Sequence, residues 1–352
     1  MKIIQKCLLL CVLAFPFKEA FSSGTLYINS QSDVHKLSRN INQYSQIKFA
    51  AGTFLLPELV FYRQVLLVGS GSSTILKPAS PTTYMIIARK PLVLKNLVLD
   101  GNHQASVGLY ANQDLEVESC TLQNFKGTAK AAGRAIRTLG YNSSLRVNNT
   151  TIRNIGGYED GKGGNAIGAH RGIHSLSKYN RISNSTFDNI QGKEDGDAIH
   201  LQTKRVAGKW ASANSVIEHC RFINFGKRAI KLQSSHNLIQ NCDFVQSAAA
   251  PASVVISLYG ENNTIKNNDF KVAVTVSWIS LNGAAINTIS GNTVKMSKGS
   301  KLFYVTKTRN TQIVNNQFEV QDSKKPLTGF SPNTEKADFN NLNLNNTVSP
   351  IK

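Results

Sequence analysis

A six-residue phrase recurs along most of the chain and constrains the fold more than any other feature. An aliphatic residue is followed after two polar residues by a small residue, Asn or Cys, and two residues later by an aliphatic residue or Phe. Repeats made of short period-2 strands, with Asn and Gly between them, predict a parallel β-helix. A leucine-rich repeat would require a leucine-dense consensus and helical segments, which this sequence lacks. The first positions of nine copies, spaced 22 to 35 residues apart, are Leu94, Val117, Val147, Ile182, Ile217, Ile239, Ile265, Ile289 and Ile313.

The fourth position of the phrase is predicted to form a column through successive coils. The last members of this column are Cys220, Cys242, Asn268, Asn292 and Asn316. Asn suits such a position because it tolerates the left-handed conformation and can hydrogen-bond to the next coil. We expect Cys120, Cys220 and Cys242 to be buried free thiols, with a Cys220–Cys242 disulfide as the alternative. No Cys or Cys/His spacing indicates zinc, and no cofactor is predicted.

The chain is predicted to have three parts. Residues 1–22 have the pattern of a signal peptide: Lys2 and Lys6 precede the apolar run from Cys7 to Phe15, and a small-residue cleavage site follows. This run is too short to span a membrane, so we expect a secreted or periplasmic protein. Residues 23–320 are predicted to form the β-helix domain, and residues 321–352 a polar tail or cap.

An amphipathic segment precedes the first coil. Val34, Leu37 and Ile41 fall on one helical face, and Asp33 occupies the position of an N-cap. The sequence therefore predicts a capping helix over the N-terminal end of the solenoid.

The formal net charge of +19 indicates an anionic partner. Removal of residues 1–22 takes away three lysines and one glutamate, which leaves +17. No basic helix with interleaved aromatic residues is present, so an anionic polysaccharide is favoured over nucleic acid. We expect the protein to be a monomer.

Four short phrases between Gly133 and Gln233 share one pattern, in which an isoleucine follows a small residue and precedes a cation or a histidine. They are Arg134-Ala135-Ile136-Arg137, Arg171-Gly172-Ile173-His174, Asp197-Ala198-Ile199-His200 and Arg228-Ala229-Ile230-Lys231. If these strands are stacked in register ~4.8 Å apart, inward isoleucines place their neighbours on the outer face. The pattern predicts a titratable row of Arg137, His174, His200 and Lys231. Its predicted floor is Ala135, Gly172, Ala198 and Ala229. Such a row suits a polymer groove, although a solvated basic sheet face is the alternative.

Two insertions flank the four phrases and indicate the binding face. The first, Gly156 to Ala169, contains Tyr158, Glu159, Asp160 and Lys162. The second, Thr203 to Ser212, contains Lys204, Arg205, Lys209 and Trp210.

The segment from Ile47 to Phe54, followed by Val68-Gly69-Ser70-Gly71, resembles the first coil of the pectate-lyase-like superfamily. The resemblance covers about residues 25 to 320, and it implies a right-handed parallel β-helix and a carbohydrate-active protein. It also implies that segments similar to those of polygalacturonases lie at Glu194 to Ile199 and at Arg228 to Lys231. Here, however, Gly196 separates the two aspartates, and the Gly-His-Gly element of that family is absent. No aspartate cluster like the calcium site of pectate lyases is evident, so we expect a metal-free site.

β-Elimination from a uronate fits the row best, because it requires a neutralised C6 carboxylate, a base at C5 and an acid for the leaving oxygen. Arg134, Arg171 and Arg228 are the candidates for neutralising the carboxylate. His200, His174 and Lys231 are the candidates for the base and the acid. The residues predicted to bind substrate are Arg134, Arg137, Arg171, Lys204, Lys209, Trp210, Gln233 and Tyr259.

Three other functions remain open from the sequence: a glycoside hydrolase, an epimerase and a non-catalytic glycan-binding protein. A glycoside hydrolase would use Asp195 and Asp197 as paired carboxylates, whereas an ion pair of Asp197 with Arg171 or Arg228 would be structural. A non-catalytic glycan-binding β-helix would require aromatic platforms, for which Tyr158, Trp210 and Tyr259 are the candidates.

Overall fold

Each repeat forms one coil of a β-solenoid of about ten turns, which confirms the predicted all-β fold class. The computed structural model describes residues 24–157, 170–192, 196–299, 301–321, 328–330 and 345–351. One α-helix, α1 (Gln31–Asn40), lies near the N-terminus, and short 3-10 turns follow at Ile41–Gln43 and Gly71–Ser73.

The strands are short, with a median of four residues. From the N-terminus they are β1 (Thr25–Ile28), β2 (Gln46–Phe49), β3 (Gly52–Leu56), β4 (Leu59–Phe61), β5 (Val65–Val68), β6 (Thr74–Pro78), β7 (Thr82–Ala88), β8 (Leu92–Lys95), β9 (Val98–Asp100), β10 (Ala105–Ala111), β11 (Leu115–Glu118) and β12 (Thr121–Gly127). The central strands are β13 (Arg134–Thr138), β14 (Leu145–Asn148), β15 (Thr151–Gly157), β16 (Arg171–Ser175), β17 (Arg181–Ser183), β18 (Thr186–Ile190), β19 (Asp197–Gln202), β20 (Arg205–Val206), β21 (Lys209–Trp210), β22 (Val216–Glu218), β23 (Arg221–Phe225) and β24 (Arg228–Gln233). The last are β25 (Leu238–Gln240), β26 (Asp243–Val245), β27 (Ala252–Leu258), β28 (Thr264–Lys266), β29 (Asp269–Asn282), β30 (Thr288–Ser290), β31 (Thr293–Lys298), β32 (Lys301–Thr306), β33 (Gln312–Val314), β34 (Gln317–Val320), β35 (Thr328–Phe330) and β36 (Thr347–Pro350).

The strands form three parallel faces, to each of which a coil contributes one strand. The first face is a 12-stranded sheet that runs from β1 to β33. The other two faces are joined into a 22-stranded sheet because β29 pairs with β26 on one face and with β27 on the other. The face that contains β13, β16, β19 and β24 carries the four phrases. Only the hairpin of β20 and β21 is antiparallel among the described strands.

The interior consists of columns of equivalent apolar side chains. Phe187, Phe222, Phe244 and Phe270 stack with ring centroids 5.0, 4.7 and 4.4 Å apart and nearly parallel planes. Burial of these large side chains is the main favourable contribution to folding, at roughly 25 cal/mol per Å² of apolar surface. Trp278 extends the column by edge-to-face contact with Phe270.

The predicted asparagine column forms hydrogen bonds from coil to coil. Oδ1 of Asn292 accepts from the backbone N–H and from Nδ2 of Asn268, at 3.1 and 3.0 Å. Asn316 does the same for Asn292, and Asn346 for Asn316. Each side-chain oxygen thereby accepts the hydrogen bonds that the asparagine of the preceding coil donates. Buried polar groups require such partners.

The predicted reason for asparagine in this column was partly wrong. The left-handed residue is the one before each ladder asparagine, as at Asn267 (φ 55°) and Asn315 (φ 56°). The ladder asparagines are therefore selected by their hydrogen bonds and not by their φ angle. A second ladder, which the sequence analysis missed, connects Asn237, Asn263 and Asn287.

Cys120, Cys220 and Cys242 are buried free cysteines in the column that the sequence predicts. Burial raises the pKa of the Cys120 thiol to about 12. A thiol held in its protonated form is a poor nucleophile, so Cys120 serves packing.

The capping helix is confirmed, but its N-cap is Ser30 and not Asp33. Asp33 is the third helical residue, and its Oδ2 accepts from the backbone N–H groups of Asn29 and Ser30 at 3.1 Å each. The Lys36 ammonium, the backbone N–H of Asn29 and the Ser30 hydroxyl lower the pKa of Asp33 to about 2. Val34 and Leu37 are buried against the first coil, as predicted.

At the two ends of the chain, the predictions extend beyond what the structure describes. The segment predicted to be a signal peptide and most of the predicted tail lie outside the described residues. Within the tail, β36 pairs in parallel with β34 and continues the solenoid. No helix in the described ranges is long and apolar enough to cross a membrane.

Columns of left-handed residues mark the corners between faces, and Asn occupies most of their positions. One such corner runs through His236, Asn262, Ile286 and Asn310, all with φ between 51 and 59°. A β-branched residue in this conformation costs roughly 1–2 kcal/mol. Because Ile286 is 51% exposed, burial of its side chain contributes little free energy to offset this cost.

We expect Ile286→Asn to raise the free energy of unfolding by about 1 kcal/mol, because asparagine tolerates the left-handed conformation. The reciprocal change, Asn262→Ile, places isoleucine at the equivalent corner of the preceding coil and should lower stability. Urea unfolding followed by circular dichroism measures both. A loss of stability in Ile286→Asn would contradict the assignment.

Candidate functional site

The four phrases are stacked in the predicted register. Arg137 pairs with His174, His174 with His200, and His200 with Lys231 on neighbouring strands. The isoleucines Ile136, Ile173, Ile199 and Ile230 are fully buried in the core, so the row faces away from it. The C-terminal half of the row is not solvated, since His200 and Lys231 are only 3% and 5% exposed.

The predicted floor of small residues is wrong. A Cβ on Gly172 would lie 3.3 Å from Cδ1 of Phe187 and 2.6 Å from the Ala198 carbonyl oxygen, so this position faces the core. Ala135, Ala198 and Ala229 belong to the same core. Strict alternation fails here because the residue before the isoleucine and the isoleucine itself both point inward. The small residues are needed for packing over the phenylalanine column.

The residues that begin the phrases form a second column beside the row. Arg134 pairs with Arg171, Arg171 with Asp197, and Asp197 with Arg228. Asp197 is fully buried, and its Oδ1 accepts from Nε of Arg228 at 2.5 Å. Its Oδ2 lies 3.6 Å from Nε of Arg171 and 3.9 Å from Nδ1 of His200. Asp197 therefore holds two guanidinium groups in place.

His174 and His200 form a stacked pair at the centre of the row. Their ring centroids are 4.9 Å apart and their planes differ by 16°. Nε2 of His200 lies 2.8 Å from Oε1 of Gln233, and Nε2 of His174 lies 3.4 Å from Oε1 of Gln202. In both rings Nδ1 is buried and has no hydrogen-bond partner among the described residues. With Gln233 in this orientation, Nε2 of His200 carries the hydrogen and Nδ1 is the free base.

Both histidines are neutral at physiological pH. Burial is the main cause that lowers the pKa of each ring well below 6.5, and the charge of Arg171 is the second. The neighbouring Lys231 further lowers the pKa of His200. A neutral imidazole in such a cluster can accept a proton, provided that an anion arrives to offset the new charge.

Arg134 and Arg137 lie at the N-terminal end of the two columns. Nε of each is buried without a hydrogen-bond partner in the described part of the chain. Burial, together with the charges of Arg171 and Arg137, lowers the pKa of Arg134 to about 9. The guanidinium of Arg137 lies over the ring of Tyr110, 5.7 Å from its centroid.

Lys231 ends the row at its C-terminal side. Its Nζ lies 5.7 Å from the centroid of Tyr259, which belongs to the next coil. Gln233, predicted to bind substrate, lies 2.8 Å from Nε2 of His200 through its Oε1.

The second insertion forms the β20–β21 hairpin. The guanidinium of Arg205 lies 4.7 Å from the ring centroid of Trp210, so one face of this ring already has a partner. Lys209 forms an ion pair with Glu261 at 3.1 Å, and Lys204 is exposed. Lys204, Arg205 and Lys209 are all exposed, so the hairpin presents basic side chains to solvent.

Part of the predicted site cannot be placed. Asp195 and the acidic residues of the first insertion, Glu159 and Asp160, lie outside the described residues. Among those that are described, no three His, Cys, Asp or Glu side chains meet as a metal site requires.

Sequence reasoning missed Gln202, Tyr84 and Tyr110. Gln202 lies two residues after His200, and Gln233 lies two residues after Lys231, with a leucine between in both cases. This shared Leu-Gln ending was the signal in the sequence that the two glutamines have equivalent roles. Tyr110 occupies the row position one coil before Arg137, and Tyr84 contacts its ring edge-on at 5.1 Å.

Comparison with solved structures finds the same fold at low sequence identity. An alginate lyase from Paenibacillus sp. str. FPU-7 has a TM-score of 0.51 and 15% identity, over 88% of this chain and 99% of that chain. The A-module of the Azotobacter vinelandii mannuronan C-5 epimerase AlgE4 has a TM-score of 0.56 and 13% identity, over 94% of each chain. The Streptococcus pneumoniae surface protein and adhesin PfbA has a TM-score of 0.53 and 13% identity, over 86% and 95%. At these identities the likeness establishes the fold alone.

No curated protein matches the chain in sequence. The family model described as the right handed beta helix region matches residues 83–270 and 139–318, which together make up more than half of the chain. These matches include all four phrases and the hairpin between the third and the fourth. The chain therefore belongs to the right-handed β-helix family.

Proposed function

We propose that the protein cleaves a uronate-containing polysaccharide by β-elimination. The observation that carries this proposal is the neutral His174–His200 pair, buried beside Arg171 and Lys231. This arrangement combines a base that is unprotonated at neutral pH with cations that stabilise a developing negative charge.

Each step of the elimination has a candidate residue. Arg171 neutralises the C6 carboxylate and makes the C5 proton more acidic, while Asp197 holds Arg171 and Arg228 in place. His200 takes the C5 proton, and the electron pair of that C–H bond forms the C4–C5 double bond. The C4–O bond breaks, and the Lys231 ammonium donates a proton to the leaving oxygen.

The names of two structural neighbours support the class of substrate. The alginate lyase and the mannuronan C-5 epimerase are both enzymes of acidic polysaccharides by name. The net charge of +19 agrees with such a substrate. The remaining predictions complete the proposal: export through a signal peptide at residues 1–22, a β-helix domain at 23–320, a tail or cap at 321–352, and a metal-free monomer.

The competing functions receive less support. A hydrolase would need Asp197 as an acid or a base, but this carboxylate is ion-paired with both Arg171 and Arg228. A non-catalytic binding protein would need open aromatic platforms, and one face of Trp210 is occupied by Arg205.

Incubation with a panel of acidic polysaccharides tests the reaction. We expect absorbance from an unsaturated uronate to rise together with new reducing ends. New reducing ends without the double bond would identify a hydrolase. A parallel reaction in D₂O that incorporates deuterium at C5 without chain cleavage would identify an epimerase. Either result would contradict β-elimination.

Substitutions should separate the reacting groups from the peripheral charges. We expect His200→Ala and Lys231→Ala each to lower kcat by ~10²-fold or more. Lys204→Ala and Lys209→Ala should mainly raise KM, with a larger effect at low salt because exposed charges are screened. Full turnover in the first pair, with loss of activity in Asp197→Asn, would replace the lyase by a hydrolase.

The histidine pair should make stability depend on pH. Unfolded histidines titrate near pH 6.5, whereas burial lowers the pKa of both rings in the folded protein. Below about pH 6.5 the unfolded chain binds more protons than the folded chain, so the free energy of unfolding falls as the pH falls. We expect the double variant His174→Gln/His200→Gln to lose less stability than the wild type between pH 8 and pH 5.

Urea unfolding at each pH measures this difference. His35→Gln, in which an exposed helical histidine is changed, is the matched control and should behave as the wild type. Equal acid sensitivity in the double variant and the wild type would contradict buried neutral rings.

A further inference from the structure

The arginines of the second column differ in their counter-ions. Arg171 and Arg228 both lie against Asp197. Arg134, one coil before Arg171, has no ion pair within the described ranges and is only 8% exposed. Its Nε lacks a hydrogen-bond partner there, and so does Nε of Arg137. Two buried guanidinium donors without an acceptor destabilise the empty protein, unless a ligand supplies the acceptor.

The groups around these two arginines are cationic or aromatic. Arg171 and Arg137 are the charges that act on Arg134, and burial is the main cause that lowers the pKa of Arg134 to about 9. Tyr110 is flanked by the guanidinium groups of Arg137 and Arg89, at 5.7 and 5.9 Å from its centroid. Tyr84 contacts Tyr110 edge-on. Positive charge and half-buried aromatic rings in one place suit an acidic sugar.

We infer that Arg134 and Arg137 bind the carboxylate of a sugar residue that is not itself cleaved, with Tyr84, Tyr110 and Arg89 around that residue. The choice of a uronate as ligand rests on the proposed function. Arg137 lies two strands before His200, a distance of about 10 Å at the strand spacing of a sheet. A chain that occupies both places lies along the row and crosses the strands. A ligand too short to span this distance gains nothing from the two arginines.

Binding of oligogalacturonates and oligomannuronates of two to six residues tests the inference. All proteins carry His200→Ala to suppress turnover, and the dissociation constant is measured by titration calorimetry. We expect Arg134→Gln and Arg137→Gln each to weaken binding of the longer oligomers about tenfold, the loss expected for a charge-assisted hydrogen bond. Binding of the disaccharide should not change.

Arg146→Gln is the matched control. It removes the same charge from β14, the next strand of the same coil, on the 12-stranded face. We expect it to leave binding at every length unchanged. A second measurement is the melting temperature without ligand, which should stay the same or rise in Arg134→Gln, because an uncompensated buried charge is removed.

Three outcomes would overturn the inference. The first is an equal loss of affinity at every oligomer length. The second is a lower melting temperature in Arg134→Gln with unchanged affinity, which would make Arg134 structural. The third is the same length dependence for a sulfated oligosaccharide and none for either oligouronate. Arg134-dependent binding without cleavage of any polymer would refute the proposed reaction and leave this site standing.

Discussion

Parallel pairing of each coil with the next places equivalent residues directly above one another, ~4.8 Å apart. The rest of the structure depends on this register, because every choice of residue at one position is repeated along a column. A column of phenylalanines is favourable, since each ring fills the space left by its neighbour, as in the stack from Phe187 to Phe270. A column of asparagines is also favourable, because each amide accepts hydrogen bonds from the coil before it.

A column of cations is different, because stacking multiplies repulsion. At ~4.8 Å, two unit charges at an effective dielectric constant of about 20 repel each other by roughly 3 kcal/mol. The structure reduces this repulsion in two ways. Asp197 replaces an arginine in the second column, and two neutral histidines occupy the middle of the row. Neither Asp197 nor the neutral histidines offset the charge of Arg134. The N-terminal end of the columns is therefore the strongest candidate for a site that binds an external anion.

The repeat predicted the fold and the register of the row, because both follow from the spacing of aliphatic residues alone. The errors arose where local geometry departs from the ideal strand. Ala135 and Gly172 were assigned to the outer face by strict alternation, but the backbone turns them towards the core, a change that no pattern of polarity reveals. Similarly, the sequence cannot show which of two adjacent residues at a corner is left-handed, so the left-handed conformation was expected at Asn268 and occurs at Asn267. Gln202 was missed because its partner, His174, lies on another coil and is recognised only once the register is known.

The stacking of equivalent residues in columns also explains why the candidate site lies in this part of the solenoid. Coils of regular length repeat a pattern in which each column is stabilised by contacts between its own members. The described coils after Ile239 are of this kind, with spacings of 24 to 26 residues. The coils of the first three phrases are longer, at 30 to 35 residues, and two of them carry the insertions, so their columns are free to hold residues that a strict repeat would exclude. Here a fully buried carboxylate, two neutral imidazoles and Lys231 lie within four successive strands. Such a combination lowers the stability of the empty fold, and an anionic ligand would relieve most of that destabilisation. Selection for stability alone would favour further Phe or Asn columns on this face.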